Sequence, residues 1–347
     1  MKISLAHGSG GRLTHDLIKN FLKKFDNPLL SPLADSAILN EGLAFTTDSF
    51  VVKPIFFPGG DIGKLAVAGT VNDLSVMGAK PLYISCGLII EEGLDYEILE
   101  KIIESMATTA KQAGVAVVTG DTKVVEKGKC DGIFINTAGI GFFDGFSNGS
   151  FNGFSNGFLN GKPPLPKPIE TGDKVIINGP IGDHGTAILS ARDLGLKLSI
   201  KSDCAPLNSL ISTILSDSND IKFMRDPTRG GIATVLNELV ENQDFGVMLN
   251  EEKIPIRDEV KGSCELLGFD PLYMASEGKV VVVAKNIDSV LEKNSILKRM
   301  RSHPLGRSAE IIGEIVSEPK GRVCMRTLSG GIRIVDMLTG DQLPRIC

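Results

Sequence analysis

The chain has 347 residues, 42% of them hydrophobic, and a formal net charge of −5. That length predicts two domains of ordinary size. The negative balance argues against nucleic acid or an anionic membrane as the main partner. No apolar run approaches the roughly 18 residues of a membrane span. The start, Met1 to Gly8, carries one lysine and no long apolar stretch, so it does not read as a signal peptide. Cysteines 86, 130, 204, 264, 324 and 347 are scattered and form no CxxC pair, so neither a disulfide framework nor a zinc site is expected. A reduced, cytoplasmic protein is the expectation.

In chain order, Gly8-Ser9-Gly10-Gly11 precedes a helical pattern over 13–22. A glycine loop feeding a helix start offers free N–H groups to phosphate, though a plain turn fits as well. It is neither a P-loop nor a Rossmann fingerprint, since no Gly-Lys-Ser/Thr follows and Leu13 stands where the third glycine belongs. Residues 43–47 read as a strand ending at Asp48, 61–78 as a helix and 82–90 as a buried strand. Apolar residues at 98, 99, 102, 103, 106, 110 and 113 make 95–113 a helix. A strand over 115–119 runs into Gly120-Asp121, and another covers 133–142. Residues 146–168 break the alternation with Gly/Asn/Phe low complexity and then a proline-rich stretch, which reads as a linker. From Asp173 strands and helices alternate again to about 337. The expected class is α+β, with domains at 1–145 and 169–338 and a mobile tail over 339–347.

Asp35, Asp48, Asp73, Asp121 and Asp226 each sit in a short motif beside a turn or element end. Any one of them reads as a cap or turn residue. Together, with glycines nearby, they point to a site where carboxylates hold Mg²⁺ against nucleotide phosphates. Lys123 could contact phosphate or take a proton, and Arg229-Gly230-Gly231 is a second candidate anion site. His184, in Gly182-Asp183-His184-Gly185, reads either as a turn residue or as a group that positions nucleotide or tail. No serine sits in a nucleophile elbow. Cys347 ends a short proline-containing tail and reads either as a disordered end or as a thiol carried on an arm.

Several motifs taken together carry a resemblance: Ala6-His7-Gly8-Ser9-Gly10-Gly11, Phe45-Thr46-Thr47-Asp48-Ser49-Phe50, Gly120-Asp121-Thr122-Lys123-Val124-Val125, Asp226-Pro227-Thr228-Arg229-Gly230-Gly231, Glu277-Gly278-Lys279 and Pro344-Arg345-Ile346-Cys347. In this order they resemble the ATP-binding superfamily of aminoimidazole ribonucleotide synthetase and selenophosphate synthetase. Within it the chain is similar to the HypE family of hydrogenase-maturation carbamoyl dehydratases. The terminal tetrapeptide is the specific part.

The resemblance implies a two-domain aminoimidazole ribonucleotide synthetase-like fold in a homodimer, with N-terminal sheets paired into a shared barrel. It implies ATP and Mg²⁺ between the domains. A carbamoyltransferase, HypF, would load a carbamoyl group onto Cys347. ATP-dependent dehydration would give a thiocyanate, and the cyano group would pass to iron on the HypC–HypD scaffold complex. By the same match Lys123 and Glu277 handle protons with Cys347, and Asp35, Asp73 and Asp226 hold metal. Gly10, Gly11, Asp48, Asn72, Asp73, Gly120, Asp121 and Thr122 contact the nucleotide. A sibling enzyme is the first alternative, but selenophosphate synthetase carries its nucleophile just after the glycine loop, where this chain has Arg12 and Leu13. A non-catalytic nucleotide-binding scaffold with a docking tail is the second.

Overall fold

A computed structural model of the chain describes residues 2–8, 10–25, 29–30, 33–39, 42–143, 168–192, 198–216, 220–285, 295–338, 343 and 345–347. The expected linker, apart from residue 168, lies outside the described residues, as do Ser9 and Pro344.

The first half contains α1 (Arg12–Leu22), β1 (Ala37–Ile38), β2 (Leu43–Phe50), β3 (Phe56–Phe57), β4 (Gly60–Asp61), α2 (Ile62–Val76), β5 (Lys80–Glu91), α3 (Tyr96–Ala113), β6 (Ala116–Val125) and β7 (Ile133–Phe142). Among the described residues one sheet runs in the order β1-β2-β7-β5-β6, and β3 and β4 pair separately. β2 and β7 are antiparallel, with Leu43 opposite Phe142 and Phe50 opposite Ile135. β5 and β6 are parallel, which requires the α3 crossover between them.

Helix α2 is buried almost all round, as its near-continuous apolar sequence requires. Asp61 starts it, accepting from the main-chain N–H groups of Gly63 and Lys64. Gly114, at φ +69°, ends α3.

One expected element differs in length. The strand over 115–119 does not turn at Gly120-Asp121 but continues to Val125. Gly120 marks a close approach instead. A Cβ there would stand 2.4 Å from the Cys86 carbonyl oxygen, beside a register shift in the β5–β6 ladder. β6 is an edge strand, and its residues up to Lys123 and Val124 are exposed on both faces.

The second half contains β8 (Lys174–Ile177), α4 (Asp183–Ala191), α5 (Asn208–Leu215), β9 (Ile221–Arg225), α6 (Gly231–Val240), β10 (Gly246–Asn250), α7 (Asp258–Leu267), β11 (Val281–Ala284), α8 (Ile296–Ser302), β12 (Glu310–Val316), β13 (Val323–Arg326) and β14 (Ile332–Ile334). Its sheet runs β14-β13-β10-β12-β8-β11-β9. Both faces of this sheet are covered. Val175, Ile177, Val281 and Val283 join the core under α6, while Ile176 and Val282 join the one under α5 and α8. That two-sided burial explains why β8 and β11 read as unbroken apolar runs. A third core joins the halves: Leu65, Ile102 and Met106 pack in one cluster with Ile188, Met274, Leu343 and Ile346.

Candidate active site

Where the halves meet lies a cavity of about 520 Å³. Gly8, Gly10, Asp35, Asp48, Asp73, Asp226, Arg229, Glu277 and Cys347 all line it. Asp48 comes from β2, Asp73 from the last turn of α2, Asp226 from the end of β9 and Glu277 from the segment before β11. The loop after Asp226 reaches α6 through two left-handed glycines, Gly230 and Gly231. Gly10 lets the N-terminal loop press on that turn, since a Cβ there would lie 3.0 Å from Arg229 Cβ.

The electrostatics are dominated by crowded carboxylates. Burial, then the neighbouring charges of Asp226, Asp48 and Asp35, pushes Asp73 well above the usual carboxylate range. Asp226 is pushed up to about 7 by burial and then by Asp35. Burial and then Asp226 raise Glu277 in the same way, and one of its oxygens, Oε1, is buried without a hydrogen-bond partner. Burial also raises Asp35 and Asp48. The cations are few. Arg225 lies 3.2 Å from Asp35 and also pairs with Glu238. Arg229 is 3.9 Å from Asp48 and is held charged first of all by the charge at Cys347. Among the described residues, no three His, Cys, Asp or Glu side chains form a ready metal site. Asp35 is engaged by Arg225, and Asp73 accepts from the Thr46 hydroxyl at 2.9 Å.

The described tail residues are docked. The Arg345 carbonyl accepts from the Lys53 N–H at 3.1 Å and from Arg192 Nη2 at 2.8 Å. The Arg345 guanidinium donates to Val51 O at 3.0 Å and pairs with Asp131 at 2.6 Å, above the Phe134 ring. Ile346 is buried, and its carbonyl lies 2.6 Å from His184 Nε2. The Val51 N–H donates to the main-chain oxygen of Cys347 at 3.1 Å. Cys347 is thereby held, half-buried, at the cavity wall.

The structure thus brings together Asp35, Asp48, Asp73, Asp226, Glu277, Gly10 and Cys347 of the expected site. Gly11 precedes α1 outside the cavity lining. Asn72, expected at the nucleotide, is fully buried and turned away from the cavity. Its amide donates to Ala205 O and accepts from the Leu207 N–H. Gly120, Asp121, Thr122 and Lys123 stand on exposed β6, where Lys123 Nζ pairs with Asp121 at 2.7 Å. Sequence reasoning missed Arg225 and Asp131, and marked Arg345 only as part of the terminal tetrapeptide. Their roles are set by partners far away in the chain, and no local pattern announces them.

Two family models match, described as AIR synthase related protein, N-terminal domain, over residues 33–143, and C-terminal domain, over 170–325. A protein of Rhodobacter capsulatus named carbamoyl dehydratase HypE is 45% identical over 353 residues, covering 100% of this chain and 98% of its own. The Escherichia coli K12 protein of the same name is 44% identical, covering 99% of both chains. The chain belongs to the HypE family. Among solved structures, HypE in a HypE–HypF complex superposes with a TM-score of 0.82 at 46% identity, covering 94% of this chain and 100% of that one. HypE in complex with ATP gives 0.77 at 44% identity, with both chains covered completely. The fold is shared more widely: a structure named AaThiL, complexed with AMPPCP and TMP, superposes on this chain with a TM-score of 0.67 at 17% identity.

Proposed function

We propose that the protein is an ATP-dependent carbamoyl dehydratase acting on its own Cys347. A carbamoyl group carried on that thiol loses water to give a thiocyanate, which supplies the cyanide ligands of iron in nickel–iron hydrogenase maturation. The observation that carries this reading is the meeting of Cys347 with Asp48, Asp73, Asp226, Arg229 and Glu277 around one cavity. Full-length likeness to named carbamoyl dehydratases and to an ATP-bound HypE supports it.

An amide oxygen is a poor leaving group. Phosphoryl transfer from ATP makes it a good one, and the C–O bond then breaks as the nitrogen gives up its two protons. The donor set fits magnesium, because hard carboxylate oxygens are buried here with too few cations among them. Asp35, Asp73 and Asp226 would hold the ion, which when bound neutralises phosphate charge. Glu277 is the proton acceptor on this chain, its raised affinity and unpartnered oxygen suiting it to take a proton from nitrogen. Asp48 faces the nucleotide, and Arg229 offers a guanidinium at the same wall.

A homodimer completes the reading. Val117, Val118 and Val124 leave exposed edge strand β6 in need of cover, which pairing of two N-terminal sheets into a barrel would supply. On this reading a second copy brings the nucleotide-contacting Gly120, Asp121 and Thr122, and the proton-handling Lys123, to a cavity that one chain leaves without them. The working units are 1–145 and 169–338, with a tail over 339–347 that leaves the cleft for loading. A HypF-type carbamoyltransferase is the loading partner, supported by the solved HypE–HypF complex, and HypC–HypD is the acceptor. No disulfide links the six described cysteines, which supports a reduced, cytoplasmic setting. No described helix is long and apolar enough to cross a membrane.

The test is the mass of the C-terminal peptide after incubation with carbamoyltransferase, carbamoyl phosphate and ATP. Gain of one carbamoyl group followed by loss of one water is expected at Cys347. A carbamoyl group that persists with ATP and magnesium present overturns the proposal.

A further inference from the structure

His184 is fully buried at the start of α4 and sits edge-on to Phe57, with ring centres 5.3 Å apart. Both ring nitrogens are engaged, and the partners fix the proton. The Ile346 carbonyl, 2.6 Å from Nε2, only accepts, so Nε2 carries the hydrogen. Nδ1 is then an acceptor and takes the Ser202 hydroxyl at 2.8 Å. That hydroxyl in turn accepts from the Cys204 N–H at 3.0 Å. The bonds run in one direction, from Cys204 through Ser202 and His184 to Ile346. Burial lowers the basicity of the ring, which keeps it neutral and the direction fixed.

The Ile346 carbonyl belongs to the peptide plane that enters Cys347. The Val51 N–H holds the main-chain oxygen on the other side of the same residue. Together they define the backbone on both sides of Cys347 and hence where its side chain starts.

We propose that His184 is a positioning residue for the thiol: through its Nε2–H it reads the Ile346 carbonyl and sets Cys347 at the cavity wall. It does not touch the reacting group. The consequence for catalysis rests on the reading of Cys347 as the carbamoyl carrier, but the docking itself does not.

The deciding measurement needs neither a carbamoyl group nor ATP. Full-length protein is treated with iodoacetamide, and alkylation of Cys347 is followed by mass of the C-terminal peptide. Losing one buried hydrogen bond should raise the docked thiol's labelling rate about three- to tenfold in His184→Phe. His184→Gln restores a donor near the Nε2 position and should label close to the native rate, which loss of packing alone would not produce. Ser202→Ala keeps the ring and its Phe57 contact but removes the hydroxyl that Nδ1 accepts from, so the ring loses the bond that holds its far side. It should label faster by about twofold or more, and it decides the matter if His184→Phe does not fold. Native labelling rates in folded His184→Phe or in Ser202→Ala, or failure of glutamine to rescue, overturn the proposal. If dehydration at Cys347 proves absent while these rates behave as stated, the function fails and the positioning role stands.

Discussion

Asn72 on α2 donates its side-chain amide to the main-chain carbonyl of Glu277 at 3.2 Å. The bond crosses between the two halves and ties the candidate base to the helix that carries Asp73. The same amide group serves Ala205 and Leu207, so one side chain satisfies three main-chain groups, two of them in buried bonds and one part-buried. Asn72→Leu orphans all of them. Thermal melts should show a loss on the order of 3 kcal/mol, with about 1 kcal/mol or more for each stranded group. A melting temperature within a degree of native refutes this account.

Asp73 separates stability from function. Its charge is opposed by burial and by Asp226, Asp48 and Asp35. Asp73→Asn should abolish ATP turnover while stabilising the ligand-free fold by about 1 kcal/mol, as relief of like-charge crowding commonly does. Unchanged turnover with normal magnesium dependence removes Asp73 from the metal site.

Asp226 sets a pH dependence whose sign is definite. Its folded value, about 7, lies above the unfolded one of 3.8. Between these values the folded state binds more protons, so its contribution is full below about pH 4 and is lost as pH rises through 7. Without magnesium, the melting temperature should fall more between pH 5.5 and 8 in the native protein than in Asp226→Asn. Magnesium should offset the fall, because a bound cation replaces the proton. Parallel pH profiles for native protein and variant would show that Asp226 is ordinary.

Lys123 and Glu277 are expected to act after loading. Lys123→Ala and Glu277→Ala should accept the carbamoyl group and then hold it as a stable thiocarbamate on Cys347, visible by mass. Full conversion to thiocyanate in either variant excludes that residue. The exposed position of Lys123 adds a condition: mixing Lys123→Ala with Glu277→Ala should recover activity in mixed dimers if each site draws on both copies.

Much of the fold could be read from periodicity. The spans 61–78, 95–113 and 133–142 became α2, α3 and β7 because long, strongly patterned segments leave little choice. Gly120 misled because a glycine that closes a turn and one that lets two strands approach look alike in sequence. Asp73 and Asn72 show a similar limit. Neighbouring helix positions point about 100° apart, so the motif Val71-Asn72-Asp73 marks the place without saying which side chain faces the cavity. Arg345 and Asp131 lie 214 positions apart in the chain, and His184 and Ile346 lie 162 apart. Such pairs exist only once the chain has folded.

The docked tail behaves as a ligand attached to its own receptor. Arg345, Ile346 and Cys347 are bonded by Val51, Lys53 and Asp131 on one side and by His184 and Arg192 on the other. A tethered ligand sees its site at an effective concentration of about millimolar or above, so modest affinity keeps the cleft occupied. A loading enzyme that needs a released thiol meets only the undocked fraction, and its apparent affinity falls by that fraction. On the proposed function, every bond that steadies the thiol for chemistry should therefore slow its loading. Turnover should be greatest at an intermediate grip, and variants that loosen the tail slightly should load faster before they begin to dehydrate more slowly.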